Sequence, residues 1–172
     1  MVRIPCLVIA ALAIGCGRVG FEPLDDGAAG DGRRSDGGGG MACPLTGTPG
    51  CPNSAASLSL TGMHLQSGRT SGGGNGLGGT CGGSSAEEQT VQFFVQQAGK
   101  FGFSTDGSDY DTVLYAKDTC GGAEIACNDD ENATTKTSKL TLTLNAGQSI
   151  IIVIDGANGM CGNYVLRAAS TP

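Results

Sequence analysis

The chain has no tryptophan, a single histidine and few aromatic residues of any kind, 5% of 172. With His64 as the lone imidazole and no CxxC pair anywhere, a zinc centre lacks its usual ligands. His64 is also the only imidazole base for catalysis, and it stands between Met63 and Leu65, as a strand residue would; neither a G-x-S-x-G elbow nor an H-E-x-x-H helix occurs. Cations are scarce: 10 Lys and Arg face 16 Asp and Glu, for a net charge of −6. No basic run interleaves with aromatics, and Arg33-Arg34 is an isolated pair. Nucleic-acid binding therefore lacks its electrostatic term, and a simple grip on anionic lipid is unexpected for the same reason. Long apolar runs are missing too. The N-terminal one, Ile4 to Ile14, covers about eleven residues, whereas a membrane-spanning helix takes roughly twenty.

That run, preceded by Arg3 and followed by small residues, has the pattern of a signal peptide. Its end, "AIGC", resembles the lipobox of bacterial lipoprotein precursors, with Ala13 where Leu is commoner. The resemblance implies cleavage after Gly15, lipid on Cys16 and, since Gly17 rather than Asp follows, retention at the outer membrane, facing the periplasm or the cell surface. Residues 1–15 would then be the signal peptide and 16–42 a lipidated cysteine with its linker. From Gly17 to Gly40, nine of 24 residues are glycine, interspersed with Asp25, Asp26, Asp31 and Asp36. No core can form from that composition, so a disordered tether with a reach of some tens of ångströms is expected.

Of eight cysteines, Cys6 would leave with the signal and Cys16 would carry lipid, leaving Cys43, Cys51, Cys81, Cys120, Cys127 and Cys161. In an oxidising compartment six cysteines read as three disulfides. Sequence leaves the connectivity open; local closure suggests Cys43 with Cys51 and Cys120 with Cys127, leaving Cys81 for Cys161. Residues 43–56, with Pro44, Pro49 and Pro52, form a Cys/Pro-rich segment, and the domain proper is expected over 57–172.

Within that domain the apolar period is two, without a convincing helical repeat. Leu140, Leu142 and Leu144 alternate with Thr141 and Thr143, and Val91, Phe93 and Val95 with Gln92, Phe94 and Gln96. Phe101 with Phe103, Val113 with Tyr115, and Tyr164 with Leu166 predict further strands. "SIIIVID" is apolar on both faces from Ile150 to Ile154, as in a central strand. Two facing sheets satisfy this pattern, an all-β sandwich whose core is supplemented by disulfides.

The stretches "FSTDGSDYDTVLYAKDTCGGAEIACNDD" (103–130), "LTLTLNAGQSIIIVIDG" (140–156) and "GNYVLRA" (162–168) together resemble the bacterial pre-peptidase C-terminal domain, PPC. The resemblance covers roughly residues 57 to 170, with Ile154-Asp155-Gly156 in place of the usual Val-Asp-Gly. It implies an antiparallel, jelly-roll-like β-sandwich of about eight strands. Such modules accompany secreted peptidases or stand alone in surface lipoproteins, with accessory roles in attachment, secretion or spacing; the stand-alone arrangement is the one expected here.

"CNDDEN", 127–132, is crowded with oxygen. Short Asn and Asp side chains suit a turn, where they bond nearby backbone amides and need no ligand. Alternatively, Asp109 and Asp111 in "SDYD" alternate on one strand face and meet Asp129 and Asp130 across a neighbouring strand, a set whose cofactor would be calcium. Asn132-Ala133-Thr134 matches a glycosylation sequon, expected by chance. "GNGLGG", 74–79, matches a dinucleotide fingerprint but lacks the strand and helix around it, and reads as a flexible loop. Asp106, Asp109, Asp129 and Asp130 offer carboxylate pairs for glycoside hydrolysis, but no tryptophan marks a sugar cleft. The expectation is thus a non-enzymatic, lipid-anchored accessory binding or spacing module, with extracellular polysaccharide or protein as partner. The alternatives are a calcium-stabilised carbohydrate- or matrix-binding module and a cryptic hydrolase using His64.

Overall fold

The computed structural model describes residues 41–42 and 50–172; the signal, Cys16, most of the linker and Cys43 lie outside them. The described chain is all-β. A five-stranded sheet is ordered β2 (Ser54–Leu58), β4 (Gln89–Val95), β9 (Ser149–Gly156), β6 (Thr112–Lys117), β7 (Glu124–Asn128). A four-stranded sheet is ordered β3 (Met63–Arg69), β11 (Asn163–Ser170), β5 (Gly99–Ser104), β8 (Lys139–Leu144). A short ribbon joins β1 (Met41–Ala42) to β10 (Met160–Cys161). β2 is thus in the sheet three residues before the boundary expected at 57.

Strand pairing is antiparallel except between β2 and β4, which run parallel. Parallel neighbours need a crossover, and here β3 in the opposite sheet and the glycine-rich loop after it supply one. The period-two residues meet between the sheets: Phe93, Phe101, Phe103, Leu114, Ile152 and Leu166 are fully buried, and the Phe93 and Phe103 rings pack edge to face at 5.6 Å.

β9 explains its own composition. Ile150, Ile152 and Ile154 point into the sandwich, while Ile151 and Val153 point outward into a second cluster with Val113, Tyr115 and Ala157. That outer cluster is covered by Leu77 and by Cys51, Cys81, Cys120 and Cys127. The middle of the five-stranded sheet, β9 and β6, is therefore dry on both faces, while Phe94 on β4 and Ile125 on β7 stay exposed at its flanks; the four-stranded sheet buries one face.

The disulfides correct the pairing expected from local closure. Cys51 bonds Cys120, 69 residues away, and Cys81 bonds Cys127, 46 residues away. Hence neither Cys43–Cys51, nor Cys120–Cys127, nor Cys81–Cys161 forms. Cys161 is also disulfide-bonded, to none of these four. The β6–β7 hairpin carries Gly121-Gly122 in its connection. Its two cysteines reach outward to other segments: Cys127 clamps the glycine loop, and Cys120 clamps the chain entering β2.

Candidate functional site

The oxygen-rich loop follows β7 and is folded by its own side chains. Asn128 Nδ2 donates to the Asp130 carbonyl (2.9 Å) while its Oδ1 accepts from the Lys139 amide (2.7 Å). Asn132 Oδ1 accepts from the Thr134 amide and hydroxyl. This is the turn chemistry expected of Asn. The loop is then fastened to the start of β6 by buried hydroxyls: Thr105 and Thr112 are 2.6 Å apart, and the Ser138 hydroxyl sits between the carbonyls of Thr112 and Asp129. The fastening places Asp129 and Asp130 beside Asp111.

Asp111, Asp129 and Asp130 each offer one carboxylate oxygen, all within 4.8 Å of one another. One oxygen of each is buried without a hydrogen-bond partner. Lys136 Nζ reaches Asp130 at 2.9 Å and Asp111 at 3.5 Å. Burial, helped by the charges of Asp130 and Asp111, raises the Asp129 carboxyl above its ordinary range, and Lys136 opposes that shift. The two aspartates that Lys136 touches raise its own ammonium in turn.

Asp109 does not join them. "SDYD" is a turn that precedes β6, so Asp109 and Asp111 do not alternate along a strand; Tyr110 between them is buried at 4% exposure. Asp109 instead accepts from the amide and side-chain nitrogen of Asn163 at 2.7 and 2.6 Å, pinning the start of β11. Both aspartates line a groove of about 290 Å³ with Tyr110, Lys136, Thr137 and Met160.

The remaining sequence candidates are dispersed. His64 lies edge-on to Phe93, ring centres 5.1 Å apart, with Nε2 at 3.4 Å from the side-chain Oε1 of Gln66. Asp106 accepts from the Thr137 hydroxyl, and hydroxyl contacts with Ser104 and Thr137 hold its carboxyl below the ordinary range despite some burial, aided by Lys139 and Arg167.

Sequence reasoning missed a second acidic group. The loop containing "GNGLGG" is latched against the outer face of the five-stranded sheet, which corrects the flexible loop expected there. Glu88 accepts from the amides of Gly76 (2.7 Å) and Leu77 (3.0 Å), and Glu87 from that of Gly72 (2.5 Å). Glu124 binds both the amide and the hydroxyl of Thr80. Beneath the loop, Asp155 is fully buried and accepts from the Tyr115 hydroxyl (3.1 Å) and the Gly156 amide (2.7 Å). Burial pushes Asp155 up to about 8, against the two hydrogen bonds, and raises Glu88 and the Tyr115 phenol as well. The loop reaches this depth because it lacks side chains. Gly83 has φ +84, and a Cβ there would lie 2.5 Å from Asp155 Oδ2. An acid closing a strand apolar on both faces, as in "IIIVID", was the one available signal.

No family model matches the chain, and no curated protein does. Among solved structures it is similar to the pre-peptidase C-terminal domain of collagenase from Bacillus anthracis, at 9% identity and TM-score 0.43, covering 72% of this chain and all of that one. It is also similar to PliG of Aeromonas hydrophila, a periplasmic inhibitor of g-type lysozyme, at 11% identity and TM-score 0.41, covering 69% and 96% of the two chains. The Salmonella Typhimurium PliG gives 10%, 0.38, 69% and 99% in the same order. Likeness at this level leaves the functional reading to the chain's own residues.

Proposed function

We propose that the protein is a non-enzymatic β-sandwich module of the PPC type, held outside the cytoplasm by lipid on Cys16 and serving as an accessory binding or spacing unit for a polysaccharide or protein. The observation that carries this reading is the use made of the disulfides and of the perturbed acids. Two disulfides join segments distant in sequence, which suits an oxidising compartment. Glu87 and Glu88, fully or almost fully buried, are occupied in holding a loop to the sheet, and Asp155 beneath that loop is occupied by the Tyr115 hydroxyl and the Gly156 amide. The glycine-rich segment 17–40 would let the domain stand off the outer membrane, on its periplasmic or surface side. Fatty-acid labelling tests the anchor: label should enter the wild type and not Cys16→Ser, and the variant should leave the membrane fraction. Absence of label in the wild type would sink the anchored reading.

A second reading, a calcium-stabilised carbohydrate- or matrix-binding module, is favoured by the three unpartnered oxygens of Asp111, Asp129 and Asp130. A hard cation takes carboxylate oxygens of this kind, although Lys136 already supplies a positive charge to two of them. Calcium at about a hundred times its dissociation constant would add roughly 2.7 kcal/mol to folding. A rise in melting temperature with calcium that vanishes in Asp129→Asn supports this reading; the same temperature with and without calcium removes it.

A further inference from the structure

The net charge of −6 conceals a separation of charge that only the register reveals. The four strands of the smaller sheet contain Arg69, Lys100, Lys139 and Arg167 and no Asp or Glu. Paired residues in adjacent antiparallel strands share a face, as do alternate residues along a strand. Arg69 pairs with Asn163, two steps of two from Arg167; Arg167 pairs with Ser104, and Ser104 with Lys139. Lys100 is two such steps from Ser104 along β5. All four cations therefore project from the outer face, opposite the Phe101, Phe103 and Leu166 of the core.

That face has further properties. Met63 and Leu65 lie on it, since they pair with Ala169 and Arg167, and they are 62% and 54% exposed. Arg167 Nε donates to the Asp106 carbonyl and Lys139 pairs with Glu131, both at 3.3 Å, and the Asp106 carboxylate lies within the field of these same two cations, so Arg69 and Lys100 carry the uncompensated charge. Among the described residues Arg69 and Lys100 have no ion pair. The middle of the other sheet's outer face is covered by the glycine loop and two disulfides, with Phe94 and Ile125 exposed at its flanks; this face has neither cover.

We propose that the outer face of the β3–β11–β5–β8 sheet docks on an anionic lipid surface, the cations meeting headgroup phosphates and Met63 with Leu65 entering the interface. Charge complementarity supports lipid over a soluble polyanion when combined with the exposed apolar pair, for which a sugar or phosphate chain has no use. Four strands about 4.8 Å apart present a broad, shallow surface suited to a bilayer. Basic groups at an anionic membrane surface attract it additively, and adjacent apolar side chains strengthen the contact. This docking does not rest on the N-terminal anchor.

The test uses the full chain carrying Cys16→Ser, so that attached lipid does not contribute, in co-sedimentation with vesicles of phosphatidylcholine alone or mixed with phosphatidylglycerol. Partitioning should favour the anionic vesicles at least tenfold at low salt and fall as salt screens the contact. Arg69→Glu with Lys100→Glu, both at exposed positions without partners, should abolish most of that preference with the circular dichroism spectrum unchanged. Met63→Ser with Leu65→Ser should weaken binding several-fold and keep the anionic preference. Lys117→Glu, on the other sheet, should change neither. The proposal is overturned by equal partitioning on both vesicles, or by an equal loss with Lys117→Glu. It also fails if dextran sulfate is bound as tightly with Met63 and Leu65 irrelevant, or if the Arg69 and Lys100 substitutions abolish self-association of the chain instead.

Discussion

Raising the pH from 5 to 8 should weaken the fold through Asp155. Its carboxyl is fully buried and pushed from the usual 3.8 up to about 8. Between those values the native state keeps a proton that the unfolded chain has released. The contribution of Asp155 is therefore complete below about pH 4 and is lost as pH rises towards 8, by about 1.4 kcal/mol per unit at most. Across the whole interval the upper bound is about 6 kcal/mol, comparable to the entire stability of a small domain. Glu88, also raised by burial, acts in the same direction. Urea unfolding followed by circular dichroism at pH 5 and pH 8 reads the effect: the midpoint should be markedly lower at pH 8. Asp155→Asn preserves volume and an acceptor for the Gly156 amide while removing the titration. The variant should show less than half the wild-type pH dependence and be the more stable of the two at pH 8. A wild type equally stable at both pH values, or an unaltered slope in Asp155→Asn, would refute the reasoning.

Two further outcomes follow from the covering of that face. Replacing Cys51 and Cys120, or Cys81 and Cys127, by alanine should cost about 4 kcal/mol per bridge in the chain-entropy treatment of loops this long; non-reducing mass mapping that joined Cys120 to Cys127 would contradict both bridges. Gly83→Ala should destabilise by about 2 kcal/mol or more, because its left-handed backbone disfavours a Cβ and that atom would strike the Asp155 carboxylate. Ala at Gly121, where a Cβ would meet nothing within 4 Å, is the control, and equal melting temperatures for the two variants would count against the latch.

The chain's own pattern determined the secondary structure and the layers. Period-two burial needs only local alternation, so Leu140, Leu142 and Leu144 declared one buried face and Ile150 to Ile154 declared two. The scarcity of helix-period segments and the paired sheets followed from the same alternation. What covered the second face of β9 was not legible, because a loop rich in glycine reads as flexible until distant partners appear. Its latch combines Glu87 and Glu88 from the end of the loop, Glu124 from β7 and a cysteine 46 residues away. Disulfide choice was decided in the same way. Spacing rewards short loops, but Cys120 and Cys127 both pack on the outer cluster, where distant segments bring Cys51 and Cys81 to them. The aspartate group also depended on tertiary fastening: Ser138 and Thr112 bring Asp129 to Asp111, and a turn in place of a strand removes Asp109. The basic sheet face is the clearest instance. Net charge is a sum over residues and is indifferent to position, whereas strand register assigns each side chain to one face, and only the paired register gathers Arg69, Lys100, Lys139 and Arg167 on the same side.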